Sequence, residues 1–106
     1  MAKFLIRGSY TVEGAKGLIK EGGTARKAAI QKALEGLGGT LDSIYYMFGA
    51  DDFVVVCDIP DTVSGLALSL AVNASGAARI STTPLVSVED MDAACKKAVS
   101  YRPAGA

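Results

Sequence analysis

Histidine and tryptophan are both missing from this chain of 106 residues. Without histidine there is no Ser-His-Asp triad, no Cys-His dyad, no imidazole proton switch and no histidine-containing metal site. Cysteine occurs only as Cys57 and Cys95, and two thiols without histidine do not complete a zinc site. Cys57 lies within the apolar run FVVVCDI, where a cysteine acts as a small hydrophobe. Both thiols are expected to be reduced, in a cytoplasmic protein. Excess charge of either sign is missing as well, because Lys plus Arg and Asp plus Glu each number 11. Nucleic acid and anionic membranes call for clustered positive charge, so neither is an expected partner. Long apolar runs are absent too. MAKFLIRGSY is too weakly apolar before Arg7 for a signal-peptide core, and no segment approaches the roughly 18 uncharged apolar residues that suggest a membrane span. Neither a metal nor a cofactor is expected.

What the chain does have is apolar content, 50% of its residues, with a mean hydropathy of +0.31. Its length suits one domain, residues 1–106. KFLIRGSY (3–10) is rich in β-formers and reads as a strand, with Phe4, Ile6, Gly8 and Tyr10 on one face. Thr11 is placed to cap a helical stretch that Gly22-Gly23 interrupts. Thr24 is then placed to cap a second helical segment, in which Ala29, Ile30, Ala33, Leu34 and Leu37 form a stripe. Gly38-Gly39 ends it. TLDSIYYMF (40–48), the turn GADD (49–52) and FVVVCDI (53–59) read as a hairpin. The second strand of that hairpin is apolar on both faces, which predicts cover on both sides. Asp61 or Thr62 caps a helix over 62–76 whose stripe is Val63, Leu66, Ala67, Leu70, Ala71 and Ala74, with Leu68 and Val72 outside it. A fourth strand over 78–86 and a last helix over 87–99, opened by Ser87 and Asp90, complete the order.

Strand, helix, strand, strand, helix, strand and an added helix give the split βαβ order of ferredoxin-like α+β folds, with a four-stranded antiparallel sheet. Two helices cover one face of such a sheet. The apolar strand then turns one row to the uncovered face, and an exposed apolar patch of that kind marks an interaction surface. A twofold, sheet-packed dimer or larger homo-oligomer is the expected solution. The broadly apolar helix over 62–76 suggests a further contact. The competing arrangement folds the last helix over the bare face of its own chain. Arg7 is expected on that face beside Leu5, where a covered guanidinium needs a partner. Asp42, Asp58, backbone carbonyls or an anionic ligand are the candidates.

The opening strand with SYTVEGAKGLIKEGG, the hairpin YYMFGADDFVVVCDIPD and RISTTPL together resemble the GYD-domain family of small bacterial proteins. The likeness runs from Lys3 to about Val99. Gly49 and Asp52 match the Gly-Tyr-Asp signature, while Asp51 stands at its tyrosine position. The resemblance implies a ferredoxin-like fold that assembles as dimers or larger rings, and it implies no catalytic mechanism.

Several side chains suggest ligand chemistry. Asp52 begins a central strand; Asp51-Asp52 offers oxygen ligands to a hard cation, or alternatively is a solvated turn. Lys20 and Arg26 flank the glycine break, where backbone N–H groups and cations together attract an anion, or form only a solvated basic face. Arg79 and Thr83 share one face of the fourth strand, with Thr82 on the other. With Arg7 and Tyr46, these residues define the expected ligand set: Arg7, Tyr46, Asp52, Lys20, Arg26 and Arg79. Two functions remain open at this point. One is a homo-oligomeric module that binds a small, anionic molecule or a partner protein. The other is a cofactor-independent enzyme, monooxygenase- or isomerase-like, with Arg7, Tyr46 and Asp52 around a pocket between sheet and helices; that alternative rests on fold analogy.

Overall fold

The computed structural model describes all 106 residues. Strand β1 (Ala2–Tyr10) leads into helices α1 (Val12–Glu21) and α2 (Gly23–Gly36). Strands β2 (Thr40–Tyr46) and β3 (Phe53–Ile59) form the hairpin, followed by α3 (Thr62–Ala74), β4 (Ala78–Leu85) and α4 (Val88–Lys96). The sheet order is β2-β3-β1-β4, antiparallel throughout, with β1 and β3 central. This is the ferredoxin-like α+β arrangement that the element order predicts. No helix is long and apolar enough to cross a membrane.

Local chemistry explains most boundaries. The Thr11 hydroxyl accepts from the Gly14 N–H at 3.2 Å, which opens α1. Gly14 has to be glycine, because a Cβ there would meet the Ala77 carbonyl oxygen at 1.8 Å. Gly22 separates α1 from α2 with φ 85°, a conformation that L side chains rarely adopt. The expected cap at Thr24 is corrected: α2 already begins at Gly23, with Gly22 at its N-cap and no side-chain cap. The Asp61 carboxylate caps α3 by accepting from the Ser64 N–H at 2.7 Å, a bond that holds this carboxyl below the usual range.

The core lies on the helix side of the sheet. Phe4 and Ile6 of β1, Phe53, Val55, Cys57 and Ile59 of β3, Leu34 of α2 and Ala78 of β4 are buried there. Burying a side chain such as Leu34 contributes about 1.5–3 kcal/mol. An irregularity between Leu41 and Ser43 shifts the β2 register, so Leu41 and Ile44 both reach the core face. Tyr45 is left on the other face, 68% exposed.

The stripe expected on α3 is also corrected. Leu68 and Val72 pack toward the core, while Val63, Leu66 and Leu70 point outward at 77%, 59% and 62% exposure. Two contacts set this rotation. Gly65 is buried against the Phe4 ring. Asn73 accepts from the Ile80 N–H at 2.8 Å and donates to the Ile80 carbonyl at 3.3 Å. Counting apolar residues selected the larger stripe, but the glycine and the asparagine decide which side meets the sheet.

Candidate functional site

The two faces of the sheet present different chemistry. On the face away from the helices, Lys3, Leu5 and Arg7 of β1 stand opposite Asp58, Val56 and Val54 of β3. Lys3 donates to Asp58 at 3.2 Å and also pairs with Asp42. Both carboxylates hold the ammonium above its usual pKa, Asp42 more strongly. That pairing removes the two partners expected for Arg7. Arg7 instead meets Asp51, Nε to Oδ2 at 3.3 Å. Asp51, from the turn before β3, thus serves as the Arg7 counter-ion. Leu5, Val54, Val56 and Tyr45 make up the apolar part of this face, and none of them is fully buried.

The final helix does not cover it. Every residue from 87 to 106 is exposed, and α4 packs on no element of its own chain. The radius of gyration is 16.8 Å and the longest dimension 55 Å; about 13 Å is usual for a compact chain of this length. The C-terminal segment is therefore an arm that stands away from the body.

On the helix face, α2 lies over β2 and α3 over β4. A cleft runs between the helices above the two central strands. Its inner chamber, about 140 Å³, is lined by apolar side chains with Arg26 as the single charged group. A wider outer groove of about 390 Å³ reaches from Tyr10 past Glu13 and Glu21 and shares Arg26, Ala33, Leu68 and Val72 with the chamber. Arg26 therefore stands where the two spaces meet.

The glycine break assembles this rim. Tyr46 lies against Gly23 and its hydroxyl donates to the Gly23 carbonyl at 3.2 Å. Arg26, one turn into α2, is half-buried, with Nη1 3.6 Å from Glu21 Oε2. At that separation the two form an ion pair, and the five-donor guanidinium still has N–H groups for a second acceptor. The Tyr10 ring packs on Phe53 with centroids 5.1 Å apart. Burial pushes the Tyr10 phenol above its usual pKa and Tyr46 adds to this, while Arg26 opposes it. Chemically the groove offers Arg26, Glu13, Glu21 and the Tyr10 phenol beside an apolar space.

The six residues singled out from the sequence divide between the faces. Arg26 and Tyr46 both lie near the α1–α2 break and Tyr10, Arg26 lining the cleft and Tyr46 packing on Gly23 outside its lining. Asp52 sits nearby but is engaged with backbone, accepting from the Tyr10 N–H at 2.8 Å. Lys20 is exposed on α1. Arg7 and Arg79 lie on the opposite face, so Arg7, Tyr46 and Asp52 do not surround one pocket. Thr82 and Thr83 divide as alternation predicts, and the Thr82 hydroxyl is buried without a hydrogen-bond partner. Sequence reasoning missed Tyr10 and Glu21 as rim residues. Tyr10 was detectable, because it continues the Phe4, Ile6, Gly8 row that faces the helices. Glu21 was not, because its position depends on the angle that Gly22 sets.

The model of the family described as GYD domain matches residues 4–95. No curated protein and no solved structure matches the chain.

Proposed function

We propose that this chain, which belongs to the GYD-domain family, is a homo-oligomeric module that binds a small molecule in the cleft between its helices. One observation carries the reading: the central strands β1 and β3 carry apolar rows on both faces, and only the helix-side row is buried within the chain. On the helix side they floor a chamber with a single guanidinium at its rim. On the other side they present Leu5, Val54 and Val56 to solvent in a lone copy. A second copy packed face to face would bury that row under twofold symmetry.

The arm supports the same reading. An isolated helix shorter than about 12–15 residues is marginal in water, and α4 has nine residues with no partner in its own chain. Val88 and Met91 are exposed on it. A neighbouring copy supplies the surface that such a helix needs.

The enzyme alternative gains no specific support, because Arg7 lies on the opposite face from Tyr46 and the Asp52 carboxylate is engaged with the Tyr10 N–H. Native mass spectrometry of protein purified from its own host tests the proposal. The expected spectrum shows multiples of 10.9 kDa with added mass lost on activation. A bare single chain would overturn it.

A further inference from the structure

We propose that the cleft takes a small zwitterion with an apolar side chain, the chemical class of the branched and aromatic α-amino acids. This rests on the cleft being a small-molecule site and names what it holds. Three features point to that class together. First, the inner chamber of about 140 Å³ is lined by Ile6, Ile30, Phe53, Leu68, Val72 and their neighbours, all apolar except Arg26. The space opens to solvent on one side, and its volume is close to the roughly 150 Å³ that takes a benzene-sized group, so it suits a phenyl or isobutyl side chain. Second, the single cation stands where the two spaces meet, half-buried and ion-paired with Glu21 at 3.6 Å, with guanidinium donors left for a second acceptor. A guanidinium in that setting matches a carboxylate. Third, the adjoining groove carries Glu21, which faces Arg26, and Glu13, which is loosely paired with Lys16 at 3.9 Å. Those carboxylates disfavour a ligand that is only anionic and favour one with an ammonium beside its carboxylate. The Arg26–Glu21 pair thus mirrors the charge order of an amino-acid head group.

A neutral apolar molecule would make no use of the Arg26–Glu21 pair, and a phosphate would place two negative charges next to Glu13 and Glu21. Neither fits all three features.

The test is a titration of the full-length protein, read by methyl chemical shifts, with L-leucine, 4-methylpentanoate and leucinamide. L-leucine is expected to shift the methyls of Ile6, Ile30, Leu68 and Val72 and to bind about tenfold more tightly than either analogue, since each analogue forfeits one charge-assisted contact. Arg26→Gln should remove the advantage of L-leucine over leucinamide, and Glu21→Gln its advantage over 4-methylpentanoate. Ala33→Phe, which plugs the junction from an exposed position on α2, should abolish binding while leaving both charges in place. If 4-methylpentanoate or leucinamide binds as tightly as L-leucine in the same methyls, the zwitterion assignment fails and the cleft stands as a site. If none of the probes moves those methyls, both the assignment and the cleft reading fail.

Discussion

The carboxylate of Asp52 accepts the N–H of Tyr10 at 2.8 Å, while the Asp52 N–H donates to the Gly8 carbonyl at 2.8 Å. One residue just before β3 therefore clamps the end of β1 twice. The first bond needs the side chain, and it orders the strand end from which Tyr10 reaches the cleft. Asp52→Ala should cost about 1.5–3 kcal/mol, the range for a hydrogen bond to a charged group. Asp52→Asn, which keeps an acceptor oxygen, should cost less. Urea unfolding midpoints measure both, and an unchanged midpoint for Asp52→Ala would refute a clamping role.

Stability should fall in alkali. Burial raises the Cys57 thiol from 9.0 to about 11, with Asp58 and then Asp42 adding to the effect. Burial likewise raises the Tyr10 phenol. Both groups ionise sooner in the unfolded chain, so over this window the unfolded state binds fewer protons than the folded one. The contribution is complete below the unfolded values and is lost as pH climbs through the folded ones. For Cys57 that means a loss of roughly 2–3 kcal/mol between about pH 9 and about pH 11. Urea midpoints across that window should drop, and the drop should shrink in Cys57→Val. A flat profile in the parent chain would contradict the buried thiol.

Helix α3 offers a reversal that composition alone would not suggest. Leu68→Ala should destabilise by about 2 kcal/mol, the lower end for a core leucine, because it is only partly buried. Leu66→Gln, on the outward side, should stay within about 0.5 kcal/mol, as surface changes usually do. Thermal melts of the two variants at one protein concentration distinguish them. Equal losses would mean that α3 is rotated differently.

The element order, the sheet order and the dual-faced β3 were legible in the sequence because each rests on local patterning. Alternation over FVVVCDI, the glycine pairs and the caps at Thr11 and Ser87 involve neighbours in the chain. The rotation of α3 was not legible, since Gly65 on Phe4 and Asn73 on Ile80 are contacts between distant segments. The site was half legible. Arg26 and Tyr46 stood out by chemistry, but the sheet separates Arg7 and Arg79 from them. The bulge at Asp42 also escaped notice; it lies where Asp42 joins Asp58, which the β1–β3 register already sets opposite Lys3. Arg7 is thereby left to Asp51.

Removing the arm should separate folding from assembly. A chain ending at Val86 loses α4, which packs on nothing in its own chain. Its far-UV circular dichroism should keep the sheet and α1–α3, and its unfolding midpoint at high dilution should match that of the full chain. Size-exclusion elution should move toward smaller particles. An elution profile identical to the full chain's would show that the arm has no part in self-association.

Sedimentation velocity of the full chain against Val54→Lys, over a broad dilution series, tests the central claim most directly. Val54 sits opposite Arg7 in the middle of the open face, so an added ammonium there opposes burial of that face without disturbing the core. The account predicts that the full chain sediments as two or more copies and that Val54→Lys sediments near 10.9 kDa. A full chain that sediments as a single copy at every concentration would contradict it.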